Sequence, residues 1–84
     1  MPTRYRVVFD EPAQEFFLGL SVPKQRSLLE TLRGLGASPF QPGFQQVIDA
    51  AGRMNEVGEF DGFVVTYWPD HAVSELRIAA IEQI

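Results

Sequence analysis

The sequence predicts an α+β domain in which a helical hairpin packs on one face of a four-stranded, mainly antiparallel sheet, in the order β-α-α-β-β-β. Three observations carry this. A segment with a period of two opens the chain, two segments with apolar residues at helical spacing follow it, and three more period-two segments joined by short turn signals close it.

Arg4 to Asp10 alternates, with Tyr5, Val7 and Phe9 on one face and Arg4, Arg6 and Val8 on the other, as a strand requires. Asp10-Glu11-Pro12 then reads as a helix start, because an acidic cap suits the positive helix end and proline fits the first turn. Ala13, Phe16, Phe17 and Leu20 follow at helical spacing. Ser21-Val22-Pro23 is a second start signal, and Leu28, Leu29, Leu32 and Leu35 form the apolar stripe of a second helix. Arg26, Glu30 and Arg33 lie together on another face as a solvated set of weak ion pairs, and Gly34 and Gly36 supply the stop. Ser38 to Gly43 is rich in turn residues. Phe44 to Ala51 reads either as a connector that packs Phe44, Val47 and Ile48 on the core or as one helical turn. Arg53–Phe60, Phe63–Trp68 and Ala72–Ile81 are the remaining strands, with Asp61-Gly62 a strong hairpin turn and Pro69-Asp70-His71 the next turn.

The 84 residues make a single domain, spanning 1–84. The absence of cysteine excludes disulfides, thiolate nucleophiles and cysteine–zinc sites. No apolar run approaches the roughly 20 residues of a membrane span, and the N-terminus lacks the apolar core of a signal peptide. A soluble, cytoplasmic protein with no membrane contact is expected. Seven basic and eleven acidic side chains give a net charge of −4, which disfavours nucleic acid as a partner, since such binding draws on cations that displace counterions.

The element order resembles the RelE/ParE superfamily of bacterial type II toxins. Val8-Phe9-Asp10-Glu11-Pro12-Ala13 is similar to that family's opening strand and first helix, and Ala37-Ser38-Pro39-Phe40 to its helix-end turn. Gly62-Phe63-Val64-Val65-Thr66-Tyr67 resembles its "GDYRVIY" strand, and Leu76 to Ile81 its final strand. The resemblance implies a toxin-like component of a toxin–antitoxin system, or a degenerate descendant, with an antitoxin as partner and no cofactor. Members that cut messenger RNA on the ribosome use cations to stabilise the scissile phosphate and a base for the 2′-hydroxyl. In this chain the family's strand arginine falls at Val64, its later basic residue near Glu82 or Gln83, and the tail bearing its terminal tyrosine is expected to be missing. Arg53 and Arg77, with His71, are the remaining candidates for a displaced endoribonuclease site.

His71 is the only histidine. It reads as a general base beside Asp70 or Glu75, or as an exposed turn residue; with no cysteine it makes no metal site. Glu56 and Glu59 point to opposite faces of a strand, so they are no catalytic pair; Glu59 is placed to pair with Arg77 across strands. With Phe63, Val65, Tyr67, Leu76, Ile78 and Ala80 facing the helices, the other face carries Val8, Val64, Thr66, Trp68, Ala79 and Ile81. That face has too little positive charge to grip a phosphate backbone. Its apolar content marks a covered surface, the cover being a partner protein, a second copy in a homodimer, or the Phe44–Ala51 connector. Binding of a protein across the face around Trp68 is the leading expectation. Ribosome-dependent cleavage and a self-associating structural domain are the alternatives.

Overall fold

The computed structural model describes residues 4–84; the opening Met1-Pro2-Thr3 lies outside the described residues. The order is β1 (Arg6–Phe9), α1 (Glu11–Leu18), α2 (Val22–Gly36), β2 (Gln45–Ile48), β3 (Met54–Phe60), β4 (Phe63–Asp70) and β5 (Glu75–Gln83). The sheet therefore has five strands, in the order β1-β5-β4-β3-β2, and not four. The additional strand lies in the segment read as a connector or helical turn. Gln45-Gln46-Val47-Ile48 is too short for its alternation to stand out in sequence, and only its antiparallel pairing to β3 makes it a strand. Phe44, Val47 and Ile48 stay exposed instead of packing on the core. The three remaining pairings are β3 with β4 and β4 with β5, both antiparallel, and β1 with β5, which is parallel.

One face of this sheet is buried beneath the helices. Val65, Tyr67, Leu76 and Ile78 are fully buried against Ala13, Leu28 and Leu32, and Phe9, Phe16, Phe17 and Leu20 pack around them. The expected helical stripe thus supplies the core, with Leu29 at its margin. The Tyr67 hydroxyl donates to the Gln41 carbonyl at 3.0 Å. Burial, with a smaller contribution from the charge of Glu56, pushes that hydroxyl up to about 12.

Local detail departs from the sequence reading in four places. Asp10 and Ser21 hold the N-cap positions with extended backbone, but neither side chain caps its helix; the Asp10 carboxylate is turned to Arg77. Gly34 and Gly36 belong to α2 and do not stop it, and Ala37 ends the helix in right-handed geometry. Gly36 is needed for close approach: a Cβ there would sit 2.5 Å from the Tyr5 carbonyl oxygen. Its own carbonyl accepts the Tyr5 amide at 2.9 Å, which ties the end of α2 to the entry of β1. The Asp61-Gly62 turn does form as expected, with both residues at positive φ (56° and 83°), as a two-residue hairpin of this hand requires.

The fourth departure reassigns a face. A bulge between Thr66 and Tyr67 shifts the β4–β5 register by one residue. Before it, Leu76 and Ile78 lie inward as expected. Beyond it Ala80 stands opposite the outward Thr66, and Ile81 stands opposite the buried Val65. Ile81, expected on the outer face, is therefore a core residue at 5% exposure, and Ala80 takes its place outside. Ala79 is the extra residue of the bulge. Ile81→Ala is expected to destabilise the fold by about 2–5 kcal/mol, the usual cost of a large-to-small change in a core. Urea denaturation checks this, and a cost under about 0.5 kcal/mol would return Ile81 to the surface.

Candidate protein-binding face

The face of the sheet turned away from α1 and α2 is built in rows by the strand register. One row sets Val8 beside Arg77 and Arg77 beside Trp68. The next sets Val57 beside Thr66 and Thr66 beside Ala80. A third sets Val64 between Glu59 and Glu82. Of the expected residues, Val8, Val64, Thr66 and Trp68 are on this face and partly exposed. Val57 and Ala80 complete the apolar strip. Sequence reasoning missed Val57 because it lies in a run, Glu56-Val57-Gly58-Glu59, with no clear alternation, and Ala80 because a bulge leaves no mark in a periodic pattern.

Charge surrounds the strip in an ordered way. Arg77 reaches both Asp10 and, at 3.4 Å, Glu75; Arg6 meets Glu75 at 2.6 Å. The hydrogen bond from Arg6 holds the Glu75 carboxyl below its ordinary range, helped by Arg77. The Asp10 contact raises the Arg77 guanidinium further above its ordinary value. Glu59 does not pair with Arg77; it stands opposite Val64, a full strand away from that guanidinium. These pairs are partly exposed, so solvent screening leaves each only a small contribution to stability. Their consequence for binding is larger: Arg6 on β1 and Arg77 on β5 are both already neutralised by carboxylates.

Trp68 is held from above. The Arg53 guanidinium carbon lies 3.9 Å from the centre of its ring, a cation–π contact worth about 0.5–1 kcal/mol at such an exposed site. Arg53 is placed by the turn that follows β2. The Asp49 carboxylate accepts the Ala51 amide at 2.9 Å, the Arg53 amide at 3.0 Å and the Asn55 side-chain amide at 3.0 Å, and pairs with the Arg53 guanidinium at 3.3 Å. Gly52, at φ 79°, closes the turn. This network covers Asn55, which is 2% exposed although its register position is on the outer face. The signal for it was present in Asp49-Ala50-Ala51-Gly52, an aspartate preceding a glycine turn. Two polar atoms near Trp68 in the register, Asn55 Oδ1 and Arg77 Nε, are buried without a hydrogen-bond partner.

His71 lies elsewhere. It is exposed in the turn after β4, with Nδ1 2.7 Å from the Tyr5 hydroxyl and its ring stacked on Phe40 at 4.9 Å. The structure thus brings Arg53 and Arg77 to Trp68, and seats His71 against Tyr5 and Phe40. Cations do gather in one further place. Arg4, Arg6 and Arg33 line a cleft of about 350 Å³ between the β1 edge and α2, floored by Tyr5, Val7 and Leu29. Arg33 reaches this cleft rather than pairing with Glu30. Among the described residues no cluster of metal-ligating side chains occurs, and no helix is long and apolar enough to cross a membrane.

This geometry has solved counterparts. Over 98% of its length the chain superposes on the whole of a chain in a RelBE toxin–antitoxin complex from Mycobacterium tuberculosis, at a TM-score of 0.76 and 14% identity. The chain has a RelE-like fold. The archaeal RelE–RelB complex from Pyrococcus horikoshii matches 96% of this chain and 96% of its own at a TM-score of 0.69 and 14% identity. The intact Escherichia coli RelBE complex matches 95% and 96% at 0.62 and 15%. No family model matches the sequence, and no curated protein does. The positions expected, from the resemblance, at the strand arginine and the later basic residue are Val64 and Glu82 or Gln83; Val64 faces Glu82 across β4 and β5, and Gln83 faces Phe63.

The Asp49 turn gives the site a pH dependence. The Arg53 backbone amide, followed by the Asn55 side chain, holds the Asp49 carboxyl below the ordinary aspartate range. A carboxyl lowered on folding stabilises the fold above its unfolded value and loses that contribution as pH falls through the folded one. Acidification below the ordinary aspartate range is therefore expected to loosen Arg53 from Trp68. Tryptophan fluorescence, which reports Trp68 alone, should shift in wild type over this window and be flat there in Asp49→Asn. An equal acid shift in both would show that another group controls the turn.

Proposed function

We propose that this RelE-like chain is the toxin-like component of a toxin–antitoxin pair and that it works by binding a protein across its open sheet face. The observation that carries the reading is the character of that face. It has an apolar strip through Val8, Trp68, Thr66, Val57, Val64 and Ala80, no helix over it, and arginines already engaged by its own carboxylates. Burial of such a strip supplies affinity, with its one large aromatic, Trp68, as the anchor. The Glu59–Val64–Glu82 row adds negative charge at one end, where a phosphate backbone would be repelled and a basic side chain of a partner accommodated. Proteins of this fold crystallise as complexes with RelB-type antitoxins, which supports an antitoxin as the partner of this chain.

A second reading, an endoribonuclease acting on ribosome-bound message, is supported by a different place. Around Trp68 a phosphate would have to displace Asp10, Glu75 and Asp49 from the arginines. The cleft is lined by Arg4, Arg6 and Arg33, of which only Arg6 is bound to a carboxylate among the described residues. Any such activity would be sited there and not at Arg53, Arg77 and His71.

One pair of variants separates the two readings. Trp68→Ala is expected to weaken binding of the adjacently encoded antitoxin by about 2 kcal/mol or more, the loss typical of an aromatic anchor. Titration calorimetry measures it, and wild-type affinity in that variant would remove the sheet face from the reading. Arg4→Glu with Arg33→Glu should leave that affinity within threefold of wild type, while abolishing any ribosome-dependent cleavage.

A further inference from the structure

The two edges of the sheet are unequal. β1 is guarded: α2 ends against it through the bond from the Tyr5 amide to Gly36, and Arg4 and Arg6 flank it with charge. Charge and coverage are the usual devices that keep an edge strand from pairing with another chain. β2 has neither. It carries no charged residue, all four of its residues are exposed, and both helices pack over β1, β5 and β3. Its backbone is ready to pair. The Asp49 amide is bonded to the Arg53 carbonyl, which turns Val47 and Gln45, its alternate neighbours along the strand, toward β3. By the alternation of an antiparallel ladder, the amides and carbonyls of Gln46 and Ile48 then face the open side.

We propose that this edge is the seat of a second copy of the chain, paired antiparallel along β2 about a two-fold axis at Gln46, so that two five-stranded sheets become one of ten strands. The proposal stands independently of the function read above. The register follows from side-chain character. A continuous sheet requires opposed residues to point to the same face. With Gln46 opposite its mate, Phe44 stands opposite Ile48 twice and Gln45 opposite Val47 twice. Phe44 and Ile48 are 66% and 67% exposed in the single chain, and this register covers both pairs at once. Met54, opposite Ile48 on β3 and half exposed, extends the same patch. The Gln46 side chain is already bonded to Glu56 at 2.8 Å, so it lies back over its own sheet and leaves the axis uncrowded. An uncharged edge offers nothing by which an acidic or basic foreign strand would be chosen, whereas a second copy brings the complementary apolar partners in the right order.

Sedimentation velocity of the full chain, combined with amide hydrogen exchange, tests this. The wild type should sediment as a dimer, with the Gln46 and Ile48 amides protected more strongly as concentration rises. Ile48→Lys, at an exposed position opposite Phe44 of the second copy, should weaken association by about tenfold or more, with its far-UV circular dichroism unchanged. Val73→Lys, equally apolar in origin and exposed but off the edge, should leave the mass unchanged. A wild type that stays monomeric at all soluble concentrations would overturn the proposal, as would a dimer that survives Ile48→Lys. Protection of the two amides appearing only on addition of an antitoxin would also overturn it, in favour of a foreign strand.

Discussion

The structure depends on one pairing, that of β4 with β5. Their inward residues, Val65, Tyr67, Leu76 and Ile78, are fully buried and form the surface on which α1 and α2 rest. Burial of such side chains contributes roughly 1.5–3 kcal/mol each. Because strand side chains alternate, the same commitment sends Val64, Thr66, Trp68 and Arg77 to the other side. A slip of one residue would exchange the faces, so the core and the candidate site are two consequences of a single register. The bulge at Thr66 and Tyr67 shows this locally: half-way along β5 it rotates the alternation by one position and moves Ile81 into the core and Ala80 out of it.

What the open face can do follows from how its charges are used. Arginine would ordinarily suggest an anion site, but here Arg77 is committed to Asp10 and Glu75, and Arg53 to Asp49 and the Trp68 ring. Removing an arginine from a carboxylate to serve a phosphate exchanges one ion pair for another and leaves the carboxylate repelling the newcomer. The face is thereby electrostatically closed and hydrophobically open, the character on which the proposed protein partner rests. The cations that remain uncommitted lie at the β1 edge and along α2, so the net charge of −4 conceals a separation of charge between two parts of the surface.

Much of this was legible in the sequence. Two proline-led helix starts, a leucine stripe at positions 28, 32 and 35, and the Asp61-Gly62 turn act through neighbours a few residues away, and each produced the element expected. Period-two alternation in Phe63 to Trp68 correctly separated buried from outward residues along β4. Local chemistry also gave misleading signals where a distant group competed. Asp10 carries an excellent cap side chain, yet Arg77, 67 positions away, takes its carboxylate. Gly36 looks like a helix stop and is instead the contact point for the Tyr5 backbone.

The sequence alone determined the helices, the central hairpin and the side of β4 that would be apolar, because these depend on periodicity and on turn conformations written within a few residues. Tertiary structure alone decided the fifth strand, the bulge that exchanges Ala80 and Ile81, the seat of Trp68 beneath Arg53, and the partners of every arginine that has one. Each of these depends on segments that meet only in the folded chain, even where, as for Arg53 and Asp49, the two residues are close in sequence. The free energy of each comes from hydrogen bonds and burial that exist only once both segments are in place, so no single segment carries a record of it.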